Sequence, residues 1–405
     1  MRILILSQWF DPEPTFKGLT FAKELVKLGH QVEVLTGFPN YPGGKVYSGY
    51  RIKFVQRETI DGISIIRVPL YPSHDSSALK RIANYVSFAF SAALWGALLV
   101  KPADVMYVYH PPATVGCAAL VISRVRRIPF VYDIQDLWPD TLAATGMLNN
   151  PSVLKLVNWV CMMIYRRAAR IVVLSPGFKK MLALRNVPSE KIEIIYNWCD
   201  EKNIQRESNS DLTQKMGFAG RFNIVFAGTM GKAQALDSVL ASAKIVAESH
   251  PKVQFVFVGS GIDVAHLKQR ASELSLDNVL FLPRMPIEEI GSILAAADVL
   301  LVHLRDDPLF SITLPSKIQA YMAVGRPILM AVRGDASGLV KESKSGVVCN
   351  PEDPASLAAA VAKLCSMTQE DLHQMGQNGK AFYAANLSLP VGVDKFQSIF
   401  IEVNK

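Results

Sequence analysis

FSITLPSKIQAYMAVGRP, residues Phe310–Pro327, carries the strongest local signals in the chain: a loop, a short helix and a sharp stop. Pro315 restricts its own φ, and a hydroxyl such as that of Ser316 caps the free N–H groups of a first helical turn. Lys317 falls in that first turn, and Gly325 ends the helix. Three apolar residues recur at helical spacing, namely Ile318, Tyr321 and Met322. The stretch predicts a helix that starts beside a hydroxyl and a lysine.

Two interpretations of this helix start are open. Exposed main-chain amides, a hydroxyl and a lysine together form a ready site for a phosphate group. An ordinary capped helix with a solvated lysine fits the same residues, and caps are common. Taken alone, the stretch favours the ordinary helix, so the choice depends on the rest of the chain.

Length and charge limit the fold and the partners. At 405 residues the chain is too long for one ordinary hydrophobic core, so two domains of about 200 residues are expected. The formal net charge of +8 favours a polyanionic partner: nucleic acid, anionic lipid or a phosphorylated small molecule. Because no block of Lys and Arg interleaves with aromatic residues, nucleic acid is the weakest of the three.

Cysteines, histidines and the opening residues bear on the compartment and on metals. The five cysteines are odd in number and far apart, which is typical of free thiols in a reducing compartment. Neither CxxC nor HExxH occurs, and the seven histidines are dispersed, so no metal site is predicted. Residues 1–10 contain a short apolar run that is typical of a buried strand and not of a signal peptide, so we expect a cytoplasmic protein.

Strands and helices alternate through the first half of the chain. Gly18 stands where the loop after the first strand enters a helix, and His110 and Asp136 stand where two later strands end. In an open parallel sheet, ligands bind at the edge formed by the carboxyl ends of the strands. Each of the three could be an ordinary turn or loop residue, but two polar groups on one edge favour function. GxGxxG is absent after the first strand, which argues against a dinucleotide.

Residues 79–102, LKRIANYVSFAFSAALWGALLVKP, form the most hydrophobic segment of the chain. Its length approaches that of a membrane-spanning helix. Small residues are abundant and the flanks continue the α/β alternation, so we favour a helix that is buried or dips partly into a membrane, with a true span as the minority case. Lys80, Arg81 and Lys101 would suit anionic head groups.

A second α/β series follows a polar segment. Residues 200–220 lack periodicity and are predicted to link two domains. Glycines close two of the later strands, at 228–232 and 259–261, where main-chain amides reach anionic oxygens and Lys232 adds a charge. Arg284 ends another strand and could flank a base or a phosphate, or be a solvated turn residue. Together with Ser316 and Lys317, the glycine loops predict a diphosphate site.

In combination these segments resemble the retaining glycosyltransferases of family 4, in the branch that extends lipid-linked O-antigen, capsule or exopolysaccharide intermediates. The similar segments follow the family's order over about the first 330 residues. They are FDPEP with Gly18, PNYP, the strand that ends in His110, DIQDLWPD, YNW, FAGTMGKAQALD and LPSKIQAYMAVGRP.

The resemblance implies an α/β protein of the GT-B fold, with two Rossmann-like doubly wound domains facing a central cleft. The acceptor domain would span 1–198 and the nucleotide-sugar donor domain 199–380, and a C-terminal helix at 381–405 would cross back to the first domain. No metal or cofactor is implied, because helix dipoles and basic side chains would neutralise the leaving diphosphate. The implied partners are a UDP-sugar, a polyprenyl-diphosphate-linked saccharide and the inner face of the cytoplasmic membrane, bound peripherally, and no nucleic acid.

The resemblance also assigns residues by position. Gly18 matches the loop glycine that meets the donor phosphates, and His110 matches the histidine near the donor sugar. Lys232 and Lys317 would stabilise the leaving UDP. The other donor-binding residues implied are Gly228, Thr229, Gly231, Gln234, Gly259, Arg284, Leu314 and Ser316.

Two departures from the family pattern stand out. Thr229 and Gln234 occupy places where many relatives carry Arg and Lys, and Ala320 occupies the place of the ribose-binding glutamate. Lys232, Ser316 and Lys317 could compensate for these departures.

The expected reaction is the transfer of a sugar, an N-acetylhexosamine or deoxy-amino sugar, with retention at the anomeric carbon. No convincing nucleophile occurs, so we expect attack on the same face that the phosphate leaves, with Asp136 orienting or deprotonating the acceptor. Two alternatives are a sugar-nucleotide epimerase, which shares the GT-B fold, and a nucleotide-binding scaffold without activity.

Overall fold

The computed structural model describes residues 1–74, 77–144, 146–204 and 214–405. They form two compact units, one comprising Met1–Tyr196 with Gly392–Lys405 and the other Asn197–Val391. Each unit contains a mainly parallel sheet with helices in the crossovers. The predicted fold class, two Rossmann-like α/β domains, is confirmed.

The first unit is built on eight strands because its apolar runs are buried on both faces of a mainly parallel sheet. The strands are β1 (Arg2–Ser7), β2 (Gln31–Gly37), β3 (Gln56–Ile60), β4 (Ile63–Val68), β5 (Val105–Tyr109), β6 (Phe130–Ile134), β7 (Arg170–Val173) and β8 (Ile192–Ile194). Their order is β3-β4-β2-β1-β5-β6-β7-β8, and only β3 is antiparallel to its neighbour. The helices are α1 (Leu19–Lys27), α2 (Ala78–Leu99), α3 (Thr114–Arg126), α4 (Asp140–Ala144), α5 (Pro151–Arg167) and α6 (Pro176–Leu184).

The second unit has a six-stranded parallel sheet. Its strands are β9 (Phe222–Ala227), β10 (Val253–Val258), β11 (Val279–Leu282), β12 (Val299–His303), β13 (Ile328–Ala331) and β14 (Gly346–Val348), in the order β11-β10-β9-β12-β13-β14. Its helices are α7 (Glu201–Ile204), α8 (Asp237–Ser249), α9 (Val264–Glu273), α10 (Ile287–Ala296), α11 (Pro308–Ser311), α12 (Lys317–Val324), α13 (Asp335–Glu342), α14 (Pro354–Cys365) and α15 (Gln369–Asn386). The last helix, α16 (Leu389–Val403), belongs to the first unit from Gly392 onward.

Several predicted boundaries differ from those of the structure. The unit boundary falls after Tyr196, and the predicted tail helix at 381–405 is divided, because residues 381–386 complete α15 and α16 begins at Leu389. Part of the predicted linker, 201–204, is a helical turn, while its residues 205–213 lie outside the described residues.

Helices α2, α3 and α5 lie side by side in the first unit. A Cβ at Gly96 of α2 would lie 2.5 Å from Ile122 of α3, and one at Gly116 of α3 would lie 2.6 Å from Ile164 of α5. Both glycines therefore permit helix contacts that a larger residue would push apart. The three helices form one continuous layer.

A fully buried ion pair holds the loop before α1 to the sheet. Lys17 Nζ lies 2.7 Å from Asp133 Oδ2, and both side chains are completely buried. The same carboxylate accepts hydrogen bonds from the hydroxyl of Tyr107 and the amide of Gln135. From α16, the ring of Phe396 lies 5.1 Å from Lys17 Nζ. The pair therefore joins the loop, the sheet and the C-terminal helix of one unit.

Replacing Lys17 with Met should lower the free energy of unfolding by about 3–5 kcal/mol, because it leaves the Asp133 carboxylate buried without its cation. Urea denaturation measures the change. The variant Lys23→Met is a matched control, since it breaks the exposed Lys23–Asp61 pair and should cost less than about 1 kcal/mol. Equal losses in the two variants would contradict the role assigned to the buried pair.

Candidate functional site

The first unit brings two predicted residues to one edge of its sheet. Tyr109 at the end of β5 is in register with Asp133 of β6. His110 follows β5 directly, and Asp136 lies two residues beyond β6. The edge therefore carries an imidazole and a carboxylate, as the sequence predicts.

His110 is held in a neutral state. The residue is 1% exposed, and its Nδ1 is buried without a hydrogen-bond partner among the described residues. Burial lowers the pKa of His110 to about 3. Its ring lies 5.9 Å from those of both Tyr132 and Trp138. His110 can thus take part in a neutral hydrogen bond, but it carries no proton to donate as an acid at neutral pH.

Asp136 is the carboxylate on this edge best suited to act as a base. It is partly buried, and burial raises its pKa above the ordinary range. A raised pKa makes a carboxylate a stronger base toward a hydroxyl. Tyr41 and Tyr85 are close enough for its charge to raise the pKa of their hydroxyls.

Aromatic rings line this edge. Trp9 stacks on Tyr41 with ring centroids 4.4 Å apart, and Trp138 lies 6.2 Å from Tyr85. Flat apolar faces beside a few polar groups are typical of sites that bind small organic molecules. Tyr41 and Trp138 lie in the PNYP and DIQDLWPD segments named above, but the sequence did not indicate that aromatic rings cluster at this edge.

Gly18 has a packing role at the start of α1. A Cβ there would overlap the Asp11 carboxylate and lie 2.5 Å from Thr15. Asp11 Oδ2 accepts a hydrogen bond from the Leu19 amide at 2.6 Å, so one amide of the helix start is already bonded within the unit. The proposed contact of Gly18 with donor phosphates stays a prediction.

Glu13 is a residue that the sequence reasoning missed. Its side chain is buried and accepts hydrogen bonds from the amides of Phe10, Asn40 and Tyr41. Burial raises the pKa of Glu13 to about 7. The carboxylate ties the loop after β1 to the loop after β2, which carries Tyr41. Glu13 and its hydrogen-bond donors are up to 28 residues apart in the sequence. The position of Glu13 within the FDPEP segment was the one available signal.

In the second unit, two glycine loops meet at the carboxyl edge. The main-chain amide of Gly228 donates a hydrogen bond to the carbonyl oxygen of Val258, and that of Met230 donates one to the carbonyl oxygen of Ser260. Gly259 has φ +146°, and a Cβ there would overlap the carbonyl oxygen of Gly228. Only glycine permits so close an approach of two backbones. The sequence placed both loops at strand ends but did not indicate this contact between them, and the diphosphate site stays a prediction.

Lys317 lies against the first of these loops. Its Nζ is 3.2 Å from the position of a Cβ on Gly228 and 3.6 Å from the ring centroid of Phe226. Among the described residues no carboxylate pairs with it, and burial lowers its pKa to about 7. An ammonium group in this setting gains from any anion that enters the loop, because the anion offsets the lost hydration.

Helix α12 is fixed to the glycine loop at its inner face. The hydroxyl of Tyr321 accepts a hydrogen bond from the amide of Ala227 at 3.0 Å, directly before Gly228. Gly325 ends the helix with φ +79°, as predicted. Ser316 stands at the start, but its side chain makes no cap hydrogen bond, so that part of the prediction is wrong. Its backbone is already helical, which differs from the extended conformation that a capping residue usually has.

Two predicted donor residues have partners of their own. Lys232 Nζ lies 3.0 Å from Asp263 Oδ1, and its side chain is 73% exposed. Gln234 accepts a hydrogen bond from the amide of Gly231 through its side-chain oxygen. Lys232 is therefore paired and largely exposed, whereas Lys317 is partly buried, and the side chain of Gln234 holds the shape of the loop.

The remaining predicted residues are near these loops in sequence or at the same edge. Thr229 is exposed beside Gly228, and Leu314 is buried two residues before Ser316. Arg284 is exposed two residues after β11, so only its place at the carboxyl edge supports the prediction for it.

His303 is a second residue that sequence reasoning missed. It is buried at the end of β12, where its Nδ1 lies 2.7 Å from the carbonyl oxygen of Gln234. Its Nε2 accepts a hydrogen bond from the amide of Glu352, and burial lowers its pKa. The ring braces the turn that follows the glycine loop. Its position at a strand end was the available signal.

Metal-ligand clusters and cavities are two features that could mark a binding site in the part of the chain that the structure describes. Among residues 1–74, 77–144, 146–204 and 214–405, no group of three His, Cys, Asp or Glu side chains is placed to hold a metal ion. A cavity of about 640 Å³ in the second unit lies beside Gly325–Pro327, before β13, and so at the opposite end of the sheet.

Two family models match the chain. The glycosyl transferase 4-like domain matches residues 19–198, and the group 1 glycosyl transferases match residues 210–382. The first match lies in the first unit except for its last two residues, Asn197 and Trp198. The second match lies within the second unit.

Named relatives are similar over most of their length. The probable glycosyltransferase WbjE of Pseudomonas aeruginosa is 26% identical over 329 residues, which cover 79% of this chain and 81% of the relative. The putative colanic acid biosynthesis glycosyl transferase WcaI of Escherichia coli is 25% identical over 381 residues, covering 89% and 91%.

Solved structures share the fold. HepE of Anabaena, in complex with UDP and glucose, has a TM-score of 0.70 at 17% identity and covers 98% of both chains. Sucrose-phosphate synthase of Thermosynechococcus elongatus has a TM-score of 0.70 at 17% identity, covering 99% of this chain and 98% of its own. At this identity the likeness establishes the GT-B fold alone.

The neutral state of His110 predicts a pH-dependent stability. Its pKa is depressed in the folded protein, so the unfolded state binds the extra proton and the free energy of unfolding falls as the pH drops below about 6.5. Relative to His110→Asn, the wild type should lose about 1.4 kcal/mol per pH unit between pH 6 and 4.5. Urea denaturation of both proteins measures the difference. A difference that stays constant from pH 7.5 to 4.5 would show that His110 titrates normally.

Proposed function

Because this chain belongs to the group 1 glycosyltransferases, with a glycosyl transferase 4-like domain in its first half, we propose that it is a retaining enzyme that uses a UDP-sugar. The acceptor is a polyprenyl-diphosphate-linked saccharide, and the product is an intermediate of a surface polysaccharide. The sugar in this proposal is an N-acetylhexosamine or a deoxy-amino sugar. The enzyme works at the inner face of the cytoplasmic membrane.

The observation that carries this proposal is the position of Lys317. Its ammonium group lies beside Gly228 in a partly buried, apolar setting without a carboxylate partner among the described residues. As the bond between the sugar and the diphosphate breaks, negative charge grows on the leaving oxygen. A cation already in place stabilises that charge without reorganising, which is how preorganised sites lower a barrier. UDP bound to HepE supports the choice of nucleotide.

In the proposed step, an acceptor hydroxyl oxygen attacks the anomeric carbon on the face from which the diphosphate departs. The carbon–oxygen bond to UDP breaks, its electron pair stays on the phosphate oxygen, and the new glycosidic bond forms. The hydroxyl proton passes to Asp136 or to that phosphate oxygen. Asp136 suits this role because burial raises its pKa. Neutral His110 positions the sugar by hydrogen bonding and leaves its charge unchanged.

The class of acceptor rests on two supports. The aromatic rings beside His110 and Asp136 suit the apolar faces of sugar rings. The relative WcaI is named as a putative glycosyl transferase of colanic acid biosynthesis. The epimerase alternative receives no support from the comparisons, and both matching families are transferases.

Acceptor-dependent turnover tests the proposal. The purified protein is incubated with a panel of UDP-sugars, with and without a membrane extract that holds lipid-linked saccharides, and released UDP and labelled lipid are measured. The proposal expects UDP release and labelling only when the extract is present. Conversion of a free UDP-sugar to its epimer without acceptor, or UDP binding with no turnover on any extract, would overturn it.

The pH dependence of UDP affinity should report on Lys317. The anionic diphosphate favours the charged ammonium, whose pKa is about 7 in the free protein, so UDP binding takes up a proton above that pH. Between pH 7.5 and 9 the affinity should fall by up to about tenfold per unit, measured by calorimetry. Lys317→Arg keeps the charge and should flatten this slope, while Lys317→Met should bind UDP weakly at every pH.

Lys363→Met serves as the matched control, because Lys363 is exposed on α14. It should keep the wild-type affinity and the wild-type slope. If wild type and Lys317→Arg have the same slope, or if Lys317→Met binds like wild type, the donor diphosphate lies elsewhere.

A further inference from the structure

We propose that the outer surface of α2, α3 and α5 is a docking surface for an anionic lipid bilayer. Below, the three-helix surface means the exposed side chains of these helices. The inference deepens the proposed function and rests on it in one respect: a lipid-linked acceptor gives the enzyme a reason to bind a membrane.

Helix α2 exposes apolar side chains where a water-facing helix carries polar ones. From residue 82 to residue 98, every exposed position is hydrophobic. These positions are Ile82, Ala83, Val86, Phe90, Leu94 and Leu98, and Phe90 is 72% exposed. They recur every three or four residues, so they lie in one stripe along the helix.

The opposite side of α2 is packed into the first unit. Phe88 and Ala92 are completely buried, and Gly96 lies against Ile122 and Leu35. The helix is long and apolar enough to cross a membrane by length and composition alone. To cross one it would have to leave these contacts, so the packing favours a helix that lies along the bilayer surface with its stripe in the lipid.

The neighbouring helices extend the apolar stripe. Val121 and Val125 are exposed on α3, and Leu156 and Trp159 are exposed on α5 at 58% and 61%. The close contacts at Gly96 and Gly116 keep the three helices in one layer, as described above. A groove of about 540 Å³ on α5 is lined by Trp159 and Met163 and bordered by Arg166. Exposed Trp at an apolar surface is typical of the membrane interface.

Charge decides which partner fits the surface. None of the three helices contains Asp or Glu. Their basic residues are Lys80, Arg81, Arg124, Arg126, Lys155, Arg166 and Arg167. A second copy of the chain would bring two sets of cations together, whereas anionic head groups neutralise them. An anionic bilayer therefore matches both the apolar stripe and the charge.

Helix α2 also connects this surface to the candidate acceptor edge. Tyr85 projects from its buried side and lies 6.2 Å from Trp138, whose ring lies 5.9 Å from that of His110. A lipid-linked saccharide held at the edge would have its lipid close to the membrane that covers α2.

The test is sedimentation with lipid vesicles of two compositions, one containing phosphatidylglycerol and phosphatidylethanolamine and one of phosphatidylcholine alone. Wild-type protein should bind the anionic vesicles at least tenfold more tightly, and added salt should weaken binding. The double variant Phe90→Glu/Leu98→Glu should lose at least tenfold in binding to the anionic vesicles. Both residues are largely exposed, so their replacement should leave the fold intact.

The matched control replaces exposed apolar residues elsewhere. Phe54, 82% exposed, and Ile245, 43% exposed, lie outside the three-helix surface, and Phe54→Glu/Ile245→Glu should bind vesicles like wild type. Circular dichroism and thermal unfolding confirm that all variants fold.

Three results would overturn the inference: no binding of wild type to either vesicle, equal binding by wild type and the Phe90/Leu98 variant, or a wild-type dimer that the same variant converts to a monomer without any vesicle binding. UDP-dependent thermal stabilisation of the same preparations separates the two proposals. If UDP stabilises the protein but vesicles do not bind, only the docking surface fails. If vesicles bind and no nucleotide has an effect, the proposed function fails.

Discussion

The glycine loop of the second unit is built around Lys317, a partly buried lysine that pairs with no carboxylate among the described residues. Lys317 Nζ sits over the ring of Phe226 and beside Gly228, and burial lowers its pKa to about 7. Holding an ammonium group in such a place costs free energy, which a structure recovers when an anionic ligand binds. The surrounding features keep the group in position: Tyr321 bonds to the end of β9, and two glycine loops meet where a side chain would block the approach.

The first unit treats its buried charges in the opposite way. Lys17 and Asp133 neutralise each other in the interior, and Glu13 is surrounded by three amide donors. These contacts fix the loops around the sheet edge. His110 and Asp136, which face that edge, instead have pKa values shifted toward their neutral forms by burial. One unit thus presents aromatic rings beside a neutral imidazole and a carboxylate, and the other presents a partly buried lysine beside two glycine loops.

Local patterns predicted the elements well and the long-range contacts poorly. Continuous apolar runs located the buried strands, and Gly325 correctly marked the end of α12, because both signals act within a few residues. The pair Lys17–Asp133 spans 116 residues, and no periodicity reveals it. The residue type of Ser316 predicted a helix cap, but its backbone is helical and its side chain makes no capping hydrogen bond. Lys232 looked equivalent to Lys317, yet Asp263, which lies 31 residues further along the chain, pairs with it.

A crystal structure with UDP bound tests the central claim most directly. We expect the diphosphate oxygens to lie within hydrogen-bond distance of Lys317 Nζ, at about 2.7–3.1 Å, and against the loop that contains Gly228. Lys232 would then be free to stay with Asp263 or to turn toward the phosphates. Two results would contradict this placement. One is a diphosphate bound at the opposite end of the sheet. The other is a diphosphate that contacts Lys232 while Lys317 stays over Phe226 and makes no contact with the diphosphate.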